Sequence, residues 1–295
     1  MILEGVVMRY KHIMLSLGIS LPVCVLLRTF QLLFMIEGKT GFVGRNYTYL
    51  SAAIMIIIFA AAALNTLFGA TVHRSPKRMP KVNIALGISA MLLGCAIIYD
   101  SINSIVEMPV TSWQNFVMVV MGCVCAIWFM AYGAKAVYNY KLPHLTYVIP
   151  VIYWAAKFIV VFTSISPLTL ITDNVFVLIS YCAVLIFMFE FAKVANNIDK
   201  DTTYKKLLSS GIASTILCAV SSLPRLIATG AGTIESLHDS VSSVFVSLVT
   251  GIFVLVYCLS HFSNSNLSYK KNKRPINLDI LPIEGHSDSF YTGNK

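Results

Sequence analysis

Long apolar runs alternate with short polar segments along the chain, and eight such runs stand out: residues 12–36, 50–72, 82–106, 116–138, 147–167, 175–194, 207–229 and 241–262. Each has the roughly 20 residues that an α-helix needs to cross a hydrocarbon core about 30 Å thick. Backbone polar groups cannot be left unpaired in lipid, so these runs predict helices and not open strands. The pattern predicts an all-α polytopic membrane bundle of eight transmembrane helices, forming one domain over residues 1–262. A polar tail, 263–295, is expected to be cytoplasmic and disordered.

Composition agrees with that class. Hydrophobic residues make up 57% of the chain and charged residues 12%, about half the usual charged share, too few to cover a soluble domain. The net charge of +9 would point to nucleic acid in a soluble protein, but here its location matters more. Arg9, Lys11, Arg74, Lys77, Arg78, Lys81, Lys135, Lys141, Lys193, Lys200, Lys205, Lys206 and the Lys270–Arg274 cluster lie on one side of the predicted topology. The opposite side has only Lys39 and Arg45. The positive-inside rule therefore predicts that both termini are cytoplasmic, in a plasma membrane, with the lipid bilayer and not a nucleic acid as partner. All seven cysteines fall within apolar runs, where a thiol behaves as a small hydrophobe, so no disulfide framework is implied.

No catalytic signature is present: HExxH, GxSxG and a phosphate-cradling glycine loop are all missing, and the six histidines are scattered. Cys123 and Cys125 diverge around a helix and do not form a chelating pair. The expectation is a protein that is not an enzyme, with no metal and no cofactor. What remains is a set of charges at similar depth within the spans, Arg28, Asp100, Lys157 and Arg225. Charges at that depth normally face a bundle interior or a wet cavity.

Lys157 stands near the middle of the run 147–167. Helical spacing places Pro150, Tyr153, Trp154 and Lys157 on one face, which predicts a proline kink and two rings within cation–π reach of the ammonium. If the four charges converge, they form a pocket open to the outside with surplus positive charge. The candidate ligand-binding set is then Arg28, Asp100, Lys157, Arg225, Tyr153 and Trp154, and the ligand a small anionic solute or lipid head group. The alternatives are that Arg28 and Arg225 snorkel to the interface, that Asp100 pairs with one cation permanently, and that the protein is a signalling or assembly component whose tail recruits a partner. Glu190 is expected to pair with Lys193, Gln31 and Asn103 to hydrogen-bond between helices, and Ala60–Ala63 to allow close helix approach.

Two further patterns bear on organisation. Pro22 and Pro150, Arg28 and Lys157, and Gly122 and Gly251 recur at nearly constant spacing, which predicts two parallel four-helix halves, 12–138 and 145–262. Arg28, Thr29, Phe30 and Gln31, followed by Lys39, Thr40, Gly41 and Phe42, resemble the opening of uncharacterised polytopic membrane proteins of clostridia-like bacteria. That resemblance implies a bacterial membrane and brings no activity and no site residue.

Overall fold

The computed structural model describes residues 2–36, 43–70, 83–107, 113–138, 142–164, 172–196, 198, 200–232 and 240–272. These form eight α-helices: α1 (Ile2–Phe34), α2 (Thr48–Ala70), α3 (Ile84–Glu107), α4 (Trp113–Tyr138), α5 (Val148–Ser164), α6 (Thr172–Ala195), α7 (Lys200–Gly230) and α8 (Val241–Asn272). Each is long and apolar enough to cross a membrane, and the protein is a multi-pass helical bundle. Large apolar side chains such as Leu26, Ile56, Leu67, Ile127 and Phe162 point outward, the polarity expected when the solvent is lipid.

Helix ends differ from the hydropathy pattern where polar residues continue a helix beyond the apolar run. α1 already includes Arg9 and Lys11, α7 begins at Lys200, and α8 runs through Lys270 and Lys271 to Asn272, into the segment expected to be disordered. Backbone bonds are satisfied within a helix whatever its side chains, so hydropathy marks the membrane crossing and not the helix end. The tail from residue 273 and Lys39–Phe42 lie outside the described residues. Pro150 falls in the first turn of α5, just after a 3₁₀ turn at His144–Tyr147. An N–H there has no intrahelical acceptor, so this proline removes no bond and the expected mid-helix kink is not at this site. The prolines inside helices are Pro22 and Pro224.

Packing is a closed circuit. α3 lies on α4, α4 on α5, α5 on α6, α6 on α7, α7 on α8, and α8 returns to α3, making a ring of six helices. α1 and α2 stand outside it, against α7. α7 is accordingly the most enclosed helix: 78% of its membrane-spanning residues are buried, against 22% for α1 and 28% for α2. This arrangement does not repeat the two sequence halves. α1 and α2 are peripheral, whereas α5 and α6, their counterparts in a four-plus-four repeat, belong to the ring.

Small residues set the tight contacts. Gly87 on α3 faces Gly133 on α4, and a Cβ on Gly133 would lie 2.7 Å from the Gly87 carbonyl oxygen. On α2, the buried stripe is Ser51, Ile54, Ile58, Ala62, Asn65 and Gly69, at helical spacing. Of the four consecutive alanines, Ala62 alone lies on that stripe. The closest approach is Gly69, where a Cβ would come within 3.1 Å of Ser209 Cα on α7. Asn65 ties α1 to α2: its Oδ1 accepts from Ser16 Oγ at 3.0 Å and its Nδ2 donates to Ser20 Oγ at 3.1 Å. Interhelical bonds of this kind contribute about 1 kcal/mol in bilayers. Asn65→Leu should lower stability by about that amount, measured as a small drop in the thermal midpoint of the purified chain.

Candidate functional site

The ring interior is divided into two zones. At the end where α3 and α5 finish and α6 and α8 begin it is polar; toward the other end it is filled by aromatic rings. Trp128, Phe129 and Tyr132 of α4, Tyr147 before α5, Phe187 and Phe191 of α6, and Phe253 and Tyr257 of α8 are all buried. Their rings meet across the ring of helices, with centroids 5.4 Å apart for Phe129 and Phe253 and 5.7 Å for Phe187 and Tyr257. Lys135 hydrogen-bonds to the Tyr147 hydroxyl at the edge of this plug and sits over the Tyr132 and Tyr147 rings. Edge-to-face stacking of these rings fills this part of the interior with apolar surface.

The polar zone centres on Lys157 and Asp100. Lys157 Nζ donates to Asp100 Oδ2 at 2.9 Å, and the two residues are 6% and 9% exposed. α3 and α5 do not pack along one another, so this bond crosses the interior between helices that touch only through their neighbours. Asp100 Oδ1 accepts from Ser242 Oγ at 2.7 Å. Because Ser242 has spent its one hydrogen on the carboxylate, it must accept from Ser240 Oγ, 2.8 Å away, and it also accepts from Asn103 Nδ2 at 3.4 Å. Both carboxylate oxygens therefore have donors. The ammonium does not have a matching set of acceptors. It carries three N–H groups and, among the described residues, has Asp100 as its one hydrogen-bond acceptor.

The ring beside the ammonium is not one of the two expected on α5. Lys157 Nζ lies 5.8 Å from the Tyr181 ring of α6. Trp154 packs behind Tyr181 at 5.7 Å, and Tyr153 packs on Trp154 at 5.6 Å. Tyr153 and Trp154 are both buried; Trp154 backs Tyr181, and Tyr153 lies within electrostatic range of the ammonium. Lys157 stands near the middle of α5, nine residues after Val148 and seven before Ser164, and Asp100 stands seven residues before Glu107 on α3.

The two arginines occupy separate settings. Arg28 is fully buried between α1, α2 and α6: Nη1 donates to Gln31 Oε1 at 2.6 Å, and the guanidinium lies 4.2 Å over the Phe176 ring. Gln31 Nε2 passes the link to Ser51 Oγ on α2 at 2.5 Å. Arg225, 3% exposed, lines a small cavity with Tyr181, Ser221, Ser222 and Ser247. Neither arginine extends to the interface, so the snorkelling alternative does not describe them. Among the described residues the four charges stand around the first turns of α6, where Phe176 lies under Arg28, Tyr181 lies beside Lys157, and Val177 and Tyr181 share a cavity with Arg225.

Glu190 does pair with Lys193, at 3.3 Å, and Gln31 and Asn103 do bond between helices. The residues that sequence reasoning missed are Ser242, Tyr181, Phe176 and Ser51. Adjacent serines opening an apolar run, as at Ser242 and Ser243, were the available signal; nothing marked the two aromatics as partners of cations. Among the described residues, no cluster of three or more His, Cys, Asp or Glu could hold a metal ion. Compared with known proteins, the chain matches no family, no curated protein and no solved structure.

Proposed function

We propose that the protein binds a small anionic solute or lipid head group at Lys157 and carries it across the membrane, with Asp100 holding the ammonium when no ligand is present. The observation behind this reading is the buried lysine that has three donors and, among the described residues, a single acceptor. A carboxylate or phosphate oxygen would satisfy the remaining N–H groups with charge-assisted bonds, and a buried donor without an acceptor is costly enough to favour such a partner. The polar zone above an aromatic plug also fits a carrier closed on one side, with the plug as the barrier that must rearrange. On the sidedness of the basic connections, the termini are cytoplasmic and the polar zone faces outward from a bacterial plasma membrane.

A second reading has its own support. Both Asp100 oxygens are satisfied, and the bond joins helices that do not otherwise pack, so the pair also suits a permanent strut in a signalling or assembly protein.

Ligand-induced stabilisation separates the two. The full chain in bilayer nanodiscs is melted with acetate, succinate, inorganic phosphate or a short-chain phosphatidylglycerol. On the capture reading, at least one of these raises the midpoint in a concentration-dependent way, and Lys157→Met weakens that response at least 10-fold. No response to any of them, or an equal response in a folded Lys157→Met protein, favours the strut.

A further inference from the structure

The cavity beside Arg225 lies between α6, α7 and α8, and its walls include Tyr181, Ser221, Ser222, Arg225, Val244 and Ser247, all of them buried. Its free volume is about 10 Å³, close to the smallest space that admits one water molecule. Among the described residues, the hydroxyl of Ser247, 5% exposed, has no partner at ordinary hydrogen-bond geometry, and its one polar neighbour in weaker contact is the Cys218 thiol. Its neighbour Cys218 offers only a weakly accepting sulfur. A buried hydroxyl without a partner costs free energy, and native interiors usually resolve that cost with an ordered water.

The direction of the serine hydrogens selects the guest. Ser221 Oγ and Ser222 Oγ both donate to the Cys218 carbonyl, at 3.1 and 2.5 Å. Each hydroxyl has one hydrogen, so both have only lone pairs left for other partners. An anion would gain from the Arg225 guanidinium in one wall but would face the lone pairs of both serines in another. Water can use both kinds of neighbour: it accepts from the Ser247 hydroxyl and donates to the oxygens of Ser221 and Ser222. We propose that this cavity is a hydration site for one structural water bridging α7 to α8, and that it is not part of an anion site despite the arginine in its wall. The α7 residues in its wall, Ser221, Ser222 and Arg225, flank Pro224 in sequence.

The test has two readouts on the full chain in nanodiscs. A density map fine enough to show ordered solvent should contain one oxygen-sized peak within hydrogen-bonding distance of Ser247 Oγ and of Ser221 or Ser222 Oγ. Ser247→Ala should lower the melting midpoint by about 2 °C, since it strips the water of a donor. An empty void, together with a midpoint that is unchanged or raised by Ser247→Ala, overturns the proposal, because removing an unsatisfied hydroxyl from a dry cavity relieves a cost. Replacement of the peak by bromide in a bromide-exchanged sample also overturns it, by showing an anion site.

Discussion

Asp100→Ala is expected to destabilise the protein by about 3–5 kcal/mol, the cost of leaving a buried charge without its partner. Lys157 is 6% exposed and has no other acceptor among the described residues. Its ammonium, once abandoned, must either lose its proton or draw water into the ring, and both are unfavourable in a bundle whose neighbouring walls are aromatic. Removal of Asp100 also strips Ser242 of its acceptor, and with it the tie from α3 to the start of α8. The measurement is a thermal or denaturant melt of the purified chain in mild detergent. A protein of ordinary stability loses most of its margin to a change of this size, so low yield of folded material is part of the expected result.

The second large effect is steric. Gly133→Val should destabilise the bundle by about 3 kcal/mol, at the upper end of what overpacking usually costs. A Cβ at this position would lie 2.7 Å from the Gly87 carbonyl oxygen and 3.2 Å from the Met91 nitrogen. Those atoms belong to backbone, which cannot swing aside, so α3 and α4 have to separate. α3 is also the helix that carries Asp100, and a shift of its axis displaces the carboxylate from Lys157. Gly18→Ala on α1 is the matched control. A Cβ there meets nothing within 4 Å, and its melting midpoint should not move beyond the small helix-propensity gain.

How much of this was legible in the chain divides by the range of the signal. The eight crossings were readable because hydropathy is a local property and lipid enforces it. The pairings of Gln31 and Asn103 between helices, and of Glu190 with Lys193, were readable because an isolated polar group in an apolar run has few choices. The arrangement of helices around one another was not. Equal spacing of Pro22 and Pro150, or of Arg28 and Lys157, says nothing about whether α1 and α5 occupy matching places, and in the bundle one is peripheral and the other in the ring.

Where each charge points was not legible for the same reason. Depth can be counted along a helix, but the direction a residue faces depends on neighbours that hydropathy does not identify. Arg28 therefore points to Phe176 and Gln31, while Lys157 crosses to Asp100. Tyr153 and Trp154 were correctly placed on the face of Lys157, yet the ring that meets the ammonium comes from α6. The sequence signal for Pro150 was read against a helix start that lay too early, and moving that start to Val148 turns a kink into an ordinary first-turn proline.

The central claim is that Lys157 and Asp100 are partners across the ring interior. A double-mutant cycle measures this directly, using Lys157→Met, Asp100→Ala and the combined variant in one denaturation assay. The structure predicts a coupling of about 3 kcal/mol, with the combined variant clearly more stable than Asp100→Ala alone because no charge is then left buried. Effects that add to within about 0.5 kcal/mol would contradict it, since that is how two residues without a shared contact behave.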